Sequence, residues 1–300
     1  MKKDQHKNFK SGFVALFGAP NTGKSTLLNR LIGEKISITS RKPQTTRNRI
    51  LGVLHRPSAQ LVFIDTPGVH HDKNPLNIRI VEEAISALGD VDIVMVLLDV
   101  AKPDPGSENY VIEKIKEQKR PVILALNKID LVKKKELLAI IDKWSEIYAF
   151  HAIIPVSAKH GTQVDELVNT MENLLPKGPP FFPDDALTDK PERFIASEMI
   201  RERVFRLTGQ EIPYSSAVTI ETFKENSKSG LIKINATIHL ERDSQKGIII
   251  GKKGVKLKQI GEEARKEIER FLGARVYLKL FVRVQKNWSR DTKALRKFGY

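Results

Sequence analysis

The first half of the chain alternates between short apolar runs and longer amphipathic stretches. The apolar runs are rich in β-branched residues, as buried strands are, and the stretches between them repeat apolar positions every three or four residues, as helices do. This alternation predicts an α/β fold in which helices cover both faces of a mostly parallel six-stranded sheet. The predicted strands are 12–17, 50–56, 60–65, 91–99, 121–127 and 152–156, the second and third joined like a hairpin. The predicted helices are 24–33, 76–88, 106–118, 134–147 and 163–175.

The pattern changes after residue 178. Five prolines and Gly178 fall between residues 176 and 191, which predicts a stiff, extended linker. Beyond it the elements run α, β, β, α, α, β, with a helix at 191–208, strands at 214–224 and 230–241, a glycine loop, a helix at 255–272 and a strand at 275–286. We therefore expect a basic tail (1–10), a first domain (11–178), a linker (179–190), a second, α+β domain (191–286) and a basic tail (287–300).

Length, composition and charge narrow the function classes. A chain of 300 residues fits two domains, and the absence of cysteine excludes disulfides, thiolate metal sites and cysteine nucleophiles. No apolar run reaches the ~18 residues of a spanning helix. Lys2, Lys3 and the apolar stretch 13–17 resemble the start of a signal peptide, but no cleavage-like segment follows, so we expect a cytoplasmic location. The net charge is +15, of which +11 lies in residues 242–300. Such a concentration predicts an acidic partner, either nucleic acid or an anionic membrane.

A glycine-rich loop joins the first predicted strand to the first predicted helix. It fits the pattern G-x-x-x-x-G-K-[ST], whose backbone N–H groups and helix N-terminus surround phosphate oxygens. Lys24 would supply charge to the β and γ phosphates, and the Ser25 hydroxyl would bind Mg²⁺. The residues of this candidate site are Gly18, Ala19, Pro20, Asn21, Thr22, Gly23, Lys24, Ser25 and Thr26.

Three further motifs lie at the carboxyl ends of predicted strands, where open α/β sheets bind ligands. They are Asp65-Thr66-Pro67-Gly68, Asn127-Lys128-Ile129-Asp130 and Ser157-Ala158-Lys159. Asp65 is placed to reach Mg²⁺, and the Gly68 N–H to bond a γ-phosphate. A carboxylate such as Asp130 can accept from guanine N1–H and N2–H₂ together, which adenine cannot match. A backbone N–H of the third motif can bond guanine O6. The set predicts a guanine nucleotide site.

With these motifs in this order, the first domain resembles the translation-factor-like P-loop GTPases. The resemblance implies GTP or GDP and Mg²⁺ as ligands, and a switch threonine that binds Mg²⁺ only when GTP is present. In Pro43-Gln44-Thr45-Thr46-Arg47 we assign Thr46 to this role, with Thr45 as the alternative. Lys24, Thr46 and Gly68 are accordingly the expected catalytic groups, and Ser25, Thr46 and Asp65 the expected Mg²⁺ ligands.

One position departs from the Ras-like pattern, where a glutamine after the D-x-x-G glycine orients the attacking water. Here that position is Val69, so we expect slow intrinsic hydrolysis or another device. Asn21 suggests K⁺, because in related bacterial GTPases an asparagine at this place helps bind K⁺ beside the phosphates, where it would neutralise developing charge. The adjacent His70 and His71 are interpreted as mobile loop residues.

A second glycine loop, Gly251-Lys252-Lys253-Gly254, precedes a helix with apolar positions at helical spacing. A G-x-x-G arises easily by chance, but its setting resembles a type II KH domain, in which this loop clamps about four nucleotides of single-stranded RNA. Lys256 and Lys258 add charge on the helix. The aromatic and basic tail around Trp288 would extend the RNA surface or fray; DNA is not an expected partner.

A GTPase domain followed by a linker and a type II KH domain is the layout of the Era family, and local strings such as residues 196–202 are similar. The resemblance implies a bacterial GTPase that binds 16S rRNA near its 3′ end, assists maturation of the small ribosomal subunit and contacts the inner membrane peripherally. Two alternatives stay open. One is an RNA-binding assembly factor with a largely structural nucleotide site, and the other is a membrane-surface GTPase.

Overall fold

The computed structural model describes residues 8–40, 45–69, 75–209, 212, 216–286, 288, 291 and 298. It divides into two compact units. The first comprises residues 1–37 and 46–189, and the second residues 38–45 and 190–300. Within the described residues, none of the helices combines the length and the hydropathy needed to cross a bilayer.

The first unit is built on a six-stranded sheet in the order β2-β3-β1-β4-β5-β6. Only β2 is antiparallel, paired to β3 through a tight connection; every other neighbouring pair is parallel. The central strands are buried along almost their whole length, as sheets covered on both faces require. The strands are β1 (Lys10–Phe17), β2 (Ile50–His55), β3 (Ala59–Asp65), β4 (Ile93–Asp99), β5 (Val122–Asn127) and β6 (Ala152–Val156).

Among the described residues, four helices connect these strands and a fifth follows β6, all close to the predicted ranges. They are α1 (Lys24–Ile32), α2 (Pro75–Ser86), α3 (Pro105–Ile115), α4 (Lys134–Ile147) and α5 (Val164–Leu174). Parallel neighbours need such crossovers, and all the carboxyl ends of the parallel strands therefore meet at one edge of the sheet. The α/β architecture predicted from the alternating pattern is confirmed.

The segment predicted as a linker, 179–190, differs from that prediction because nearly all of it belongs to the first unit. Leu187 and Thr188 pair with the free edge of β2, where Val53 N donates to Leu187 O at 2.9 Å. Buried Gln60 accepts from the backbone N–H groups of residues 181 and 182 at 2.7 and 3.0 Å. The prolines indicate extended chain correctly, but these backbone contacts fix it against the sheet.

The second unit has a three-stranded sheet in the order β7-β8-β9, with β7 antiparallel and β9 parallel to the central β8. Its helices pack on one face of this sheet, where the side chains of Ile260, Ala264 and Ile268 are fully buried. The elements are α6 (Glu192–Leu207), β7 (Ser216–Glu225), β8 (Ile232–Leu240), α7 (Asp243–Ile250), α8 (Val255–Leu272) and β9 (Val276–Val284). Their order agrees with the predicted α, β, β, α, α, β arrangement.

Two further stretches, residues 38–45 and the C-terminal residues after β9, also belong to the second unit. Residues 38–45 are assigned to this unit, and of these the Thr39 hydroxyl donates to Glu202 and the Thr45 carbonyl accepts from Arg201, both of α6. Of the predicted basic C-terminal tail, Trp288 and Phe298 are described and buried, with ring centroids 5.2 Å apart. The Trp288 ring is therefore part of the core of this unit, and the prediction that its aromatic character extends an RNA surface is wrong.

Candidate nucleotide and RNA sites

The phosphate-type loop spans the gap between β1 and α1, as predicted. Gly23 adopts a left-handed conformation (φ 102°) immediately before α1. A Cβ atom there would lie 2.3 Å from the side-chain nitrogen of Asn127, so the close approach of the two loops requires glycine. The Thr22 carbonyl accepts from that same nitrogen at 2.7 Å. The loop is thus anchored to the carboxyl end of β5.

Lys24 begins α1 and its ammonium group turns back into the loop. Nζ donates to the carbonyl oxygens of Gly18 and Ala19, both at 2.9 Å. Burial lowers the pKa of Lys24 to about 8, and the nearby Asp65 carboxylate partly opposes this shift. A buried cation whose charged form is disfavoured by desolvation gains most from an anionic ligand, and this fits a phosphate group.

The three predicted Mg²⁺ ligands lie together. The Ser25 hydroxyl donates to Asp65 Oδ2 at 2.7 Å and lies 2.8 Å from the Thr46 hydroxyl. Ser37, which sequence analysis missed, also donates to Asp65 Oδ2, at 2.8 Å. No sequence motif marks Ser37, because its place depends on how the chain after α1 folds back.

Asp65 carries the observation that tests whether these residues fit a cation. Its side chain is buried and its second oxygen, Oδ1, has no hydrogen-bond partner. Burial raises the pKa of Asp65 above its ordinary value, and the hydrogen bonds from Ser25 and Ser37 and the charge of Lys24 oppose the rise. One carboxylate and neighbouring hydroxyls, completed by phosphate oxygens and water, are the usual Mg²⁺ environment at nucleotides. The residues fit Mg²⁺.

The residues after Asp65 run back across the phosphate loop. The Thr66 hydroxyl donates to Leu16 O at 2.7 Å, and Val69 N donates to Gly18 O at 3.1 Å. Gly68 passes so close that a Cβ would lie 2.6 Å from Pro20 Cα. The apolar side chain of Val69 is fully buried and is not directed at solvent. His70 and His71 lie outside the described residues.

The opposite end of the site is built around Asn127, whose side chain forms hydrogen bonds to other residues of the protein. Its Oδ1 accepts from Lys128 N at 2.8 Å and from Ala158 N at 3.0 Å, while its nitrogen holds Thr22. One side chain thereby ties the phosphate loop, the Asn127–Asp130 motif and the Ser157–Lys159 motif together. The structure brings the three motifs into one site, as the strand-end positions predicted.

The carboxylate predicted to contact guanine, that of Asp130, is accessible. Ser157 Oγ donates to Asp130 Oδ1 at 2.6 Å, and this hydrogen bond is the main reason that the pKa of Asp130 is lowered. Ile129 and Asp130 form a short 3₁₀ turn with Leu131. The ionised carboxylate is therefore an acceptor held in place for paired N–H donors.

Lys128 and Arg30 support the walls of this end of the site. Lys128 Nζ donates to Asn21 O at 2.8 Å and is also paired with the Asp99 carboxylate. Arg30 of α1 donates to the carbonyls of Ala158 and Lys159 at 3.3 and 2.5 Å. Sequence analysis did not identify Asp99 or Arg30, since neither belongs to a motif. Asn21 itself is exposed and left-handed (φ 64°); its proposed K⁺ contact stays a prediction.

The second glycine loop lies between α7 and α8 of the C-terminal unit. Gly251 ends α7 with φ 69°, and a Cβ there would lie 2.8 Å from Lys256 Cβ. Residues 252–254 form one 3₁₀ turn, in which Lys252 and Lys253 are exposed, and Gly254 precedes α8. Lys256 is half-buried and Lys258 exposed on the first turns of α8. Exposed Ile248 and Val255 flank the loop, so cations and apolar side chains occur side by side.

Comparisons with known proteins match a family to each of the two units. Residues 13–128 match a family described as "50S ribosome-binding GTPase", and residues 211–289 match the KH domain family. The chain is 53% identical over 294 residues to GTPase Era of Geotalea uraniireducens, covering 98% of this chain and 99% of that protein. It is equally similar, at 53% over 292 residues, to GTPase Era of Geobacter metallireducens, covering 97% and 98%.

Solved structures give the same result. The chain matches a crystal structure of Era in complex with MgGDPNP and nucleotides 1506–1542 of 16S ribosomal RNA. It also matches a variant of Aquifex aeolicus Era bound to GDP·AlF₄⁻. In both comparisons the TM-score is 0.93, the sequence identity 42%, and the match covers 97% of this chain and 99% of the other. The resemblance predicted from the motifs is confirmed, and the chain belongs to the Era family of GTPases.

Proposed function

We propose that the chain is a Mg²⁺-dependent, GTP-hydrolysing switch whose KH unit binds 16S rRNA near its 3′ end and assists maturation of the small ribosomal subunit. The observation that carries the nucleotide part is the Ser25, Thr46 and Asp65 cluster beside Lys24, with an unpartnered buried oxygen on Asp65. The RNA part is supported by the exposed lysines of a G-x-x-G loop and by the ligands of the Era relative.

The protein's own groups would divide the work along the nucleotide. Lys24, now bonded to two loop carbonyls, would exchange them for β- and γ-phosphate oxygens. Ser25, Thr46 and Asp65 would hold Mg²⁺, which when bound neutralises phosphate charge. The Gly68 N–H would bond the γ-phosphate. Asp130 would accept from the guanine base, positioned by Ser157.

Guanine selection by Asp130 is the sharpest test of the nucleotide assignment. We expect Asp130→Asn to lose affinity for GTP and to gain it for XTP, because an amide nitrogen donates to the oxygen that xanthine carries at C2. The ratio of kcat/KM for the two nucleotides should change by at least about 100-fold. Asp142→Asn, an exposed aspartate of α4, is the matched control. An Asp130→Asn protein that still prefers GTP would overturn the assignment.

The rRNA assignment is tested by cross-linking the full-length protein to total cellular RNA and sequencing the recovered fragments. We expect enrichment of the 3′ end of 16S rRNA, reduced by the double substitution Lys252→Ala, Lys253→Ala. Fragments spread over unrelated RNAs, or unaffected by that substitution, would contradict the proposal.

Burial of Val69 favours one alternative, an assembly factor whose nucleotide site barely turns over. Multiple-turnover hydrolysis, measured with and without the rRNA fragment, separates it from the switch. Comparing K⁺ and Na⁺ buffers in the same assay tests the proposed role of Asn21, because equal turnover in both would remove K⁺ from the mechanism.

We further propose peripheral contact with an anionic membrane, carried by the +11 excess in residues 242–300. Flotation with vesicles containing phosphatidylglycerol should recover the protein, and single-stranded RNA should compete because it uses the same charges. The absence of flotation at low salt would refute this contact.

A further inference from the structure

The sheet of the C-terminal unit has a second face, opposite the one on which α6 and α8 pack. Side chains alternate along β9, and Leu280 faces α8, where its Cδ1 would lie 3.5 Å from a Cβ atom added at Gly261. The opposite face therefore carries the alternate positions of β9, which are Tyr277, Lys279, Phe281 and Arg283. Tyr277 is 51% and Phe281 44% exposed. Large aromatic rings so exposed on a strand indicate a binding surface when their neighbours share a common chemistry.

The exposure of this face is confined to one end. At the other end His239 of β8 is buried against the Phe298 ring, with centroids 4.5 Å apart. Toward the opposite end the register pairs Tyr277 with Lys233. The protein thus covers part of the face with its own C-terminal aromatic residues and leaves the rings of β9 accessible.

The neighbours on the accessible end are basic. Lys279 lies between the two rings on β9, with its ammonium 5.1 Å from the Phe281 ring centre. Lys233 and Lys224 occupy paired positions on β8 and β7 and are exposed. Glu221, at the bulge of β7, is bonded to Thr219. Rings alternating with cations match a chain that offers both flat bases and phosphates.

Spacing and hydrogen bonding favour single-stranded RNA. Tyr277 and Phe281 are four residues apart on one strand, which is about 13 Å. That distance suits bases two nucleotides apart, with Lys279 near the intervening phosphate. In register with Lys279, Asn235 has a buried Oδ1 with no hydrogen-bond partner, which becomes an acceptor for a base amino group or a 2′-hydroxyl only when the side chains that cover it move. A protein partner would need carboxylates opposite the three lysines as well as flat groups over both rings, whereas single-stranded RNA supplies both along one chain.

We propose that this outer face, formed by Lys224, Lys233, Asn235, Tyr277, Lys279 and Phe281, is a second RNA-binding surface that stacks unpaired nucleotides of the same RNA. The proposal rests on the proposed function, since it extends the RNA held at the second glycine loop. A G-x-x-G loop clamps about four nucleotides, so a longer single strand must lie on other parts of the unit.

Oligonucleotide length separates the two surfaces. The probes are a twelve-nucleotide RNA with the sequence of the 3′ end of 16S rRNA and four-nucleotide fragments of it. We expect the double substitution Tyr277→Ala, Phe281→Ala to weaken binding of the twelve-nucleotide RNA at least about tenfold. Binding of the best four-nucleotide fragment should stay within twofold. Phe181→Ala, which removes an exposed ring of the first unit, is the matched control.

Two further measurements make the surface specific. Phe281→Tyr keeps a ring and should restore binding, and ultraviolet cross-links should map to Tyr277 or Phe281. Unchanged binding of the twelve-nucleotide RNA, or cross-links confined to residues 248–258, would overturn the second surface alone. A parent protein that binds neither probe would overturn the proposed function as well. A dimer that Tyr277→Ala, Phe281→Ala dissociates would assign the face to a second copy of the chain.

Discussion

At the residue scale, the nucleotide site is marked by two buried charges that the fold alone does not require. Lys24 and Asp65 are both buried, and burial lowers the pKa of Lys24 and raises the pKa of Asp65, so that each charged form is disfavoured. Both gain from ligands that bring the opposite charge, phosphate for Lys24 and a cation for Asp65.

Nucleotide binding should therefore take up a proton at alkaline pH. The pKa of Lys24 is about 8, and phosphates would raise it, so above pH 8 the lysine must be reprotonated when GDP binds. We expect GDP affinity, measured without Mg²⁺, to fall about fourfold from pH 7 to pH 8.5. Calorimetry at pH 8.5 in two buffers of different ionisation enthalpy should show uptake of most of one proton.

The control for this prediction is Asp65→Asn, which removes the other buried titratable group and should retain the proton uptake. The pH range stays below the ionisation of guanine N1. A constant affinity between pH 7 and 8.5, with no buffer dependence of the binding enthalpy, would show that Lys24 does not carry the linkage.

The two adjacent threonines of the switch segment give a second prediction at this scale. Thr46 lies 2.8 Å from Ser25 in the cation cluster, whereas the Thr45 carbonyl accepts from Arg201 at 2.6 Å. We expect Thr46→Val to weaken Mg²⁺ binding with a GTP analogue by about 10- to 100-fold, since a ligand oxygen is lost. Thr45→Val should change it less than threefold. A larger effect of Thr45→Val than of Thr46→Val would favour the alternative assignment to Thr45, and equal effects would contradict the assignment to Thr46 alone.

At the scale of elements, sequence patterns predict most of the fold because each depends on local spacing. The strands of the first unit are recovered within about two residues, and the motif residues come together because parallel strands end at one edge. What could not be predicted depends on contacts distant in sequence. Ser37 reaches Asp65, Asn127 bridges two loops, and Gln60 holds residues 181 and 182 through backbone groups that no side-chain pattern records.

The second glycine loop illustrates an element whose chemistry is predictable and local. Lys252 and Lys253 are exposed on a single turn between two helices. We expect the double substitution Lys252→Ala, Lys253→Ala to weaken RNA binding and to reduce the slope of log K against log salt by about 1.4, as two phosphate contacts to a single strand are lost. GTP affinity should not change.

The matched control is Lys134→Ala, Lys135→Ala, which removes the same charge from two exposed neighbours at the start of α4. Fluorescence anisotropy at several salt concentrations provides the measurement. A loss of affinity with an unchanged salt slope would show that these lysines shape the loop and do not contact phosphates.

At the scale of the whole molecule, the chain carries little net charge in its first unit and a large excess in its last fifth. The chain crosses from one unit to the other not only between residues 189 and 190 but also on either side of residues 38–45. Residues 38–45 belong to the second unit, and the following residue, Thr46, belongs to the first. Arg206 of α6 donates to the Thr39 carbonyl and hydroxyl at 3.2 and 3.1 Å, and Glu202 accepts from that hydroxyl.

This continuity predicts that GTP and RNA binding are linked. Drawing Thr46 onto Mg²⁺ would act on Thr45, the preceding residue, whose carbonyl accepts from Arg201 of α6, so we expect the nucleotide state to change what the second unit binds. We expect RNA affinity to differ between the GTP-analogue and GDP forms by a factor of about 5 to 150, and RNA to change the ratio of the two nucleotide affinities by the same factor. Arg206→Ala, which removes the two hydrogen bonds from Arg206 to Thr39 but leaves the Glu202 contact, the nucleotide site and the glycine loop in place, should bring that factor closer to one. Lys224→Ala removes a charge of the same sign from the same unit without touching α6, and should leave the factor unchanged even if RNA binds more weakly.

Titrations of fluorescent RNA at saturating nucleotide, and of fluorescent nucleotide at saturating RNA, measure the factor in both directions. Equal RNA affinities in the two nucleotide states would exclude the linkage, because RNA could then not change the ratio of the two nucleotide affinities either.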